Sequence, residues 1–516
     1  MPNRFTDTLF QLVHSLEKAE KRNFKLYIKR SSAKEDLKII QLFDALDKLQ
    51  EYDEKLLLKK LPIEKPQLAN LKTHLYKQLL ASLRLLKSTE SVELQMNEQL
   101  DYARILYNKG LFQQSLKMLE KARELATANQ KFNFLSQVTS LEKKIETLHI
   151  TRSMEGKVEQ LAIEALEVSG HIFIVSKLSN LALQLYTWYI KNGHARNEKD
   201  ELRVKAFFKE NLPADADKLT GFYQRLYLYQ SYVWYAFIRQ DFLMYYRYSQ
   251  KWIDLFAVEP TMVKVETGHY IKGIHNLLNA HFDLRNYKKF EETLKQFEAF
   301  AASPTGTQHD NFRIHTFVYI NSAKLNYHLI TGTFKEALKL VPYIEEKIEE
   351  YALHIDKHRV LVFNYKIATL YFGNGDYNTS IDYLQKIIND HVDLRYDLQC
   401  YARLVHLMAH YELGNYDIIE HLIKSVYRFM SKMENLTVVE EEMFRFLRSS
   451  FNVSPRKLKP ELKKLLEKIK QFEKNRFETR AFAYLDVISW VESKVHDKPM
   501  SVIIHDKFIQ SKHRGL

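Results

Sequence analysis

"ARILYNKGLFQQSLKMLEKA", residues 103–122, ends one helical pattern at a glycine and opens another two positions later. A helix closes, Gly110 turns the chain, Phe112 follows, and Ser115 stands five positions after the glycine. The phrase returns as "LNYHLITGTFKEALKLVPYI" (325–344), "IATLYFGNGDYNTSIDYLQKI" (367–387) and "HLMAHYELGNYDIIEHLIKSV" (406–426). Two further versions lack the glycine: "VWYAFIRQDFLMYYRYSQKW" (233–252) and "LLNAHFDLRNYKKFEETLKQF" (277–297).

The aromatic after each turn is Phe112, Phe242, Tyr287, Phe334, Tyr377 or Tyr416, and the last five are 45, 47, 43 and 39 residues apart. The 130-residue gap after Phe112 divides into three units of about 43, with "MEG" (154–156) and "NGH" (192–194) near the expected turns. Eight helical hairpins are therefore expected. The turn glycine, the aromatic and the small residue between two helices resemble the tetratricopeptide repeat. Gly110, Ser115, Leu119 and Ala122 carry the resemblance, as do Gly332 with Ala337 and Gly375 with Ser380 and Leu384. The chain departs from that family's 34-residue period and terminal proline, and Tyr245 and Phe290 replace small residues. The resemblance covers residues 96–430. It implies a superhelix of helix pairs that binds proteins or peptides on its concave face. The opening "LEKAEKRNFKLYIKR" (16–30) also resembles the start of uncharacterised bacterial proteins of this kind.

Composition agrees with an all-α fold. Only 13 Gly and 10 Pro occur in 516 residues, and 46% of the chain is hydrophobic, which favours long helices over hairpins of strand. Three parts follow: an N-terminal basic helical domain (1–90), tetratricopeptide-like repeats (91–430) and a C-terminal basic helical cap (431–516). Helical patterns run over roughly 5–30, 34–60 and 66–88, with a break at Ser31-Ser32 and Pro66 in a first helical turn. In the last part, 438–451 reads as one helix and 460–495 as two, divided near Asn475. The lone Cys400 excludes an internal disulfide and suits a reducing compartment. No signal-peptide core or membrane span is read, so the expected location is the cytoplasm.

The net charge of +13 divides unevenly. Residues 1–90 hold 18 Lys/Arg against 12 Asp/Glu, residues 452–516 hold 15 against 8, and the middle holds 44 of each. Any polyanion contact is thus expected at the ends. Lys18, Arg22, Lys25, Lys29 and Arg30 form the first candidate tract. The second contains Lys457, Lys459, Lys463, Lys464, Lys468 and Lys470. Residues 221–252 pack thirteen aromatic rings into thirty-two positions of the neutral middle. They read as the packed interior of a helix pair, because single-strand platforms combine rings with a basic groove. Tyr229, Tyr232 and Tyr246 remain candidates for lining a peptide groove.

No catalytic pattern stands out. His406 with His410, and His354 with His358, are spaced i, i+4, which would put each pair on one helix face, but neither has the glutamate or third ligand of a zinc site. "FGNGDYN" (372–378) reads as a turn, and Glu345-Glu346 with Glu349-Glu350 as a solvated face. No metal, cofactor or catalytic residue is assigned. The expectation is a non-enzymatic scaffold that binds a protein or peptide, with nucleic-acid binding through the basic ends as the alternative.

Overall fold

Each turn of the repeated phrase is a helix C-terminus closed by one left-handed residue. The computed structural model describes residues 7–30, 34–61, 63–149, 156–390, 395–433, 436–450, 455–473, 475, 477–478 and 485–513. Among the described residues the chain is helical with no strand. It forms two compact units, residues 1–172 and 173–516.

The first unit contains α1 (Thr8–Ser15), α2 (Lys18–Lys29), α3 (Lys34–Asp47), α4 (Glu54–Lys60), α5 (Lys65–Lys87), α6 (Val92–Asn108), α7 (Phe112–Ala128) and α8 (Phe132–Leu148). The helix expected over 5–30 is two helices. Leu16 is extended, and Glu17 starts α2 by donating its N–H to the Glu20 carboxylate at 2.9 Å. The pattern over 34–60 is likewise divided, because Asp53 accepts from the Leu56 N–H and begins α4. Local capping overrides a continuous apolar stripe in both places. Pro66 does lie in the first turn of α5. The expected break at Ser31-Ser32 lies outside the described residues. Phe10, Phe24, Ile39, Phe43, Leu46 and Leu75 meet in the core of these helices.

Gly110 separates α6 from α7 with φ at +76°. Its N–H donates to the Tyr107 carbonyl and that of Leu111 to Leu106, the two bonds of a Schellman turn. The same bond pair recurs at Gln130, Gln240, Arg285, Gly375 and Gly414, all with positive φ. The two versions without glycine therefore keep the turn, although a left-handed non-glycine residue costs roughly 1–2 kcal/mol. Asp241, Asn286 and Asp376 follow three of these turns and cap the next helix through their side chains. Ser115 and Ser380 are fully buried, and each hydroxyl donates to an alanine carbonyl twelve residues earlier, Ala103 at 2.8 Å and Ala368 at 2.9 Å. Ala337 is also fully buried. Small residues at this position let the paired helices approach.

The segment between α7 and α12 departs from the expected repeat. The turn at Gln130 starts α8 only twenty residues after the Gly110 turn. Gly156 and Gly193, both with positive φ, then bracket one helix of 36 residues, α9 (Lys157–Asn192). One helix stands between the two expected turns where the second helix of one hairpin and the first of the next were expected; Met154 and Glu155 lie outside the described residues.

The second unit continues with α10 (Glu198–Asn211), α11 (Phe222–Ile238), α12 (Phe242–Val258), the single turn α13 (Met262–Val265), α14 (Thr267–Asp283), α15 (Tyr287–Ala301) and the single turn α16 (Pro304–Thr307). Then come α17 (Asp310–Thr331), α18 (Phe334–Leu338), α19 (Val341–Glu350), α20 (Lys357–Asn374), α21 (Tyr377–Ile388), α22 (Tyr396–Glu412) and α23 (Tyr416–Lys432). In the pairs α11–α12, α14–α15, α17–α18, α20–α21 and α22–α23, each first helix packs on its partner. First helices also pack on one another, α14 on α17, α17 on α20 and α20 on α22.

The chain closes with α24 (Val438–Ser450), α25 (Pro455–Lys470), α26 (Val487–His496) and α27 (Met500–His513). The last helix, which the periodicity does not predict, folds back onto α17 and α20. Gly332 makes this possible. A Cβ there would lie 2.4 Å from the Ser501 carbonyl oxygen and 2.8 Å from the His505 nitrogen. Close by, His505 Nδ1 donates to the Thr331 carbonyl at 2.9 Å, and Phe508 meets Tyr287 edge-on.

Candidate functional site

The thirteen rings of residues 221–252 divide between core and half-buried positions. Phe222, Tyr235, Tyr245 and Trp252 are buried, the other nine are half-buried, and none is exposed. Tyr232 stacks on Tyr248 with centroids 4.0 Å apart, and Tyr229 lies 6.0 Å from the same ring. Burial and the Tyr232 phenol push the Tyr248 hydroxyl up to about 12. Tyr246 lies elsewhere, 5.3 Å from the His281 ring of α14. Thus two of the three groove candidates meet around Tyr248, and the third does not join them there.

The basic tracts fare differently. On α2 and just after it, Lys18, Arg22, Lys29 and Arg30 are exposed and have no carboxylate partner among the described residues. Lys25 instead pairs with Asp44 at 2.6 Å and covers the Phe43 ring. On α25 most of the charge is matched: Lys459 by Asp497, Lys464 by Glu461, Lys468 by Glu442 and Lys470 by Glu492. Lys457 and Lys463 are exposed and have no carboxylate partner among the described residues.

The densest grouping of cations and rings was not expected, and it lies in the neutral middle. Trp234 of α11 packs against Tyr186 and Tyr189 of α9, with centroids 4.8 and 5.7 Å away. The Lys272 ammonium of α14 lies 5.7 Å from the Trp234 ring and 5.4 Å from the Tyr319 ring of α17. His275 stacks on Tyr319 at 4.0 Å. Arg359 of α20 covers the same ring and donates from Nη2 to its hydroxyl at 3.2 Å. Beside it, the His358 Nε2 accepts from Arg395 Nη1 at 3.2 Å, and the Arg395 guanidinium lies 5.9 Å from the Tyr189 ring. Contacts therefore run from Tyr189 through Trp234, Lys272 and Tyr319 to Arg359, and from its chain neighbour His358 through Arg395 back to Tyr189.

Charge in this cluster is unbalanced. Lys272 has no carboxylate partner among the described residues. Lys366 of α20 donates to the Ser322 carbonyl at 3.3 Å and to the Ser322 hydroxyl. Burial, helped by the Arg395 guanidinium, lowers the Lys366 ammonium to about 7. Asp356 is taken up by Arg359 at 3.3 Å and by the α20 N-terminus, and Asp397 forks onto Arg395. Burial holds His315 and His358 down at about 4 and lowers His275 well below its usual range, with nearby cations adding to the effect. These imidazoles are neutral at pH 7. Because Arg395 donates to His358 Nε2, the proton sits on Nδ1, which is buried without a partner.

Net charge per segment hides this cluster. Helices α11, α14, α17 and α20 carry seven Lys/Arg against two Asp/Glu, whereas α12, α15, α18, α19 and α21 carry eight against ten. Summing over whole hairpins dilutes the difference to fifteen Lys/Arg against twelve Asp/Glu. Counting first and second helices separately would have found it.

Other candidates are weaker. His406 and His410 do meet on α22, with centroids 4.5 Å apart, and burial holds His406 down at about 4. The second pair does not share a helix face: His354 lies in the turn before α20, and His358 lies in its first turn. Among the described residues, no three His, Cys, Asp or Glu side chains gather as a metal site, and no helix is long and apolar enough to cross a membrane. Surface depressions of about 760 Å³ beside Asn197–Ala206 and about 460 Å³ between α1 and α5 are open and hold none of the clustered cations. No protein-family model matches this chain, and no curated protein matches it.

Proposed function

We propose that the protein is a non-enzymatic, cytoplasmic scaffold whose helix pairs form a tetratricopeptide-like superhelix and bind a protein or peptide along the first helices. The cluster joining Trp234, Lys272, Tyr319, Arg359 and Arg395 carries this reading. Five segments far apart in sequence contribute to it, and its cations outnumber its carboxylates. The repeated Schellman turns and buried small residues support the repeat assignment. Its two carboxylates are held by arginines, which suits recognition better than proton transfer.

The test is affinity capture with the full chain, with and without nuclease, beside a Lys272→Glu, Arg359→Glu variant. A polypeptide that survives nuclease and is absent with the variant is the expected result. The exposed, unpaired cations of α2 favour a second reading, in which phosphates bind there. That reading takes over if nuclease removes the bound material and charge reversal on α2 abolishes capture.

A further inference from the structure

We infer that the segment bound at the Lys272–Tyr319–Arg359–Arg395 cluster is an acidic peptide, read through side-chain carboxylates. This rests on the peptide-binding reading and specifies its ligand. Lys272 has no carboxylate partner among the described residues, and Lys366 is held by a serine. The Arg395 fork is already occupied by Asp397 and the Lys366 ammonium is buried against Ser322, so the half-buried Lys272 and the Arg359 donor not used by Asp356 or Tyr319 are the groups offered to a ligand. Lys272 of α14 and Arg359 of α20 meet over Tyr319 and form a positive patch on which Lys272 lacks a counter-charge among the described residues.

The rings decide between a carboxylate ligand and a nucleic acid. Base-stacking platforms need an open ring face. Tyr319 is only 8% exposed, with His275 stacked on it and Lys272 and Arg359 over it. Trp234 is covered by Tyr186, Tyr189 and Lys272. Tyr319 and Trp234 position cations, and Tyr186 at the edge of the cluster is the ring left exposed, at 40%. Charge-assisted bonds to carboxylates remain, and these are the stronger class of hydrogen bond.

Lys366 supplies a readout that a merely structural cluster would not give. An anion beside it favours the ammonium, so binding near neutral pH takes up protons. The groups acting on Lys366 are Arg395 and the neutral His275, with Ser322 as its hydrogen-bond partner.

The experiment titrates the full chain with an eight-residue glutamate peptide amidated at its C-terminus. The matched glutamine peptide and an eight-nucleotide oligothymidylate serve as controls. Calorimetry in two buffers of different ionisation enthalpy counts protons. The glutamate peptide is expected to bind at least tenfold more tightly than either control and to take up protons at pH 7.5. Arg359→Gln should remove most of the affinity and Arg359→Lys should restore part of it, which separates loss of charge from loss of folding. Equal binding of the glutamine peptide, or no effect of Arg359→Gln in a folded variant, overturns the acidic ligand. The peptide reading then survives if a captured neutral polypeptide still needs this cluster. Oligothymidylate binding with the same sensitivity to Arg359→Gln assigns the site to nucleic acid and overturns both.

Discussion

Gly332 and Gly375 occupy equivalent turns, but a methyl group would meet different surroundings at each. At Gly375 nothing lies within 4 Å of the added carbon, so Gly375→Ala carries only left-handed backbone strain, roughly 1–2 kcal/mol. At Gly332 the same strain is joined by a collision with the α27 backbone at Ser501 and His505. Gly332→Ala should therefore cost more in denaturant unfolding than Gly375→Ala, and should loosen the C-terminal helix to limited proteolysis. Equal costs would show that α27 is not seated there. The histidines make a second prediction at this scale. His315 and His358 sit at about 4 in the folded chain against a usual 6.5, and His275 is lowered further. The unfolded chain binds more protons as pH falls from 6.5 toward 4, so stability should drop across that window. Replacing His315 and His358 with Gln should flatten the drop, as followed by melting temperature against pH.

At the scale of the element, the aromatic pair α11–α12 and the returning helix α27 behave as structural parts. Tyr232 and Tyr248 are stacked face to face at 4.0 Å between the two helices, and such a pair contributes about 0.5–1.5 kcal/mol beyond its burial. Tyr232→Ala should lower the melting temperature by more than the stacking alone accounts for, yet leave peptide affinity per folded molecule unchanged. A folded variant that fails to bind would make these rings part of the ligand surface. Removing α27 would expose Ile330, Tyr287 and the Gly332 turn, which it covers through Phe508 and His505. The α17 amides near Thr331 should then exchange hydrogen faster, while amides of α6 and α7 in the other unit should not change.

For the whole molecule, the deciding quantity is how charge is distributed over faces. The basic excess at the chain ends is partly quenched on α25 and left open on α2. Changing Lys18, Arg22, Lys29 and Arg30 to Glu should leave the melting temperature nearly unchanged, because these side chains are exposed. If single strands bind there, affinity falls and the salt slope flattens by about 0.7 for each phosphate no longer neutralised. Lys272→Gln should not alter that slope. A salt titration with a labelled single strand checks both variants, and a slope set by Lys272 instead would move nucleic-acid binding to the cluster.

The sequence by itself determined what depends on neighbours along the chain. A left-handed helix end closes within six residues and a helix pair packs within about forty, so the turns at Gly110, Gly332, Gly375 and Gly414 were legible, with Ser115, Ala337 and Ser380 buried. The ring-rich stretch could be read as interior for the same reason. Where a local cap interrupts a stripe, as at Glu17 and Asp53, the pattern alone runs two helices together. Between Gly156 and Gly193 the repeat length predicts two helices, one from each of two neighbouring hairpins, where one long helix forms. Tertiary structure alone decided which side chains meet between pairs, from 40 residues apart at Tyr319 and Arg359 to 206 at Tyr189 and Arg395. Arg395 reaches Tyr189, Arg359 and Lys272 converge on Tyr319, and α27 returns to Gly332. The repeat spacing sets neighbouring helices side by side but does not say which side chains meet. Their charge is diluted in a sum along the chain, because the acids of each pair lie mostly on the second helices.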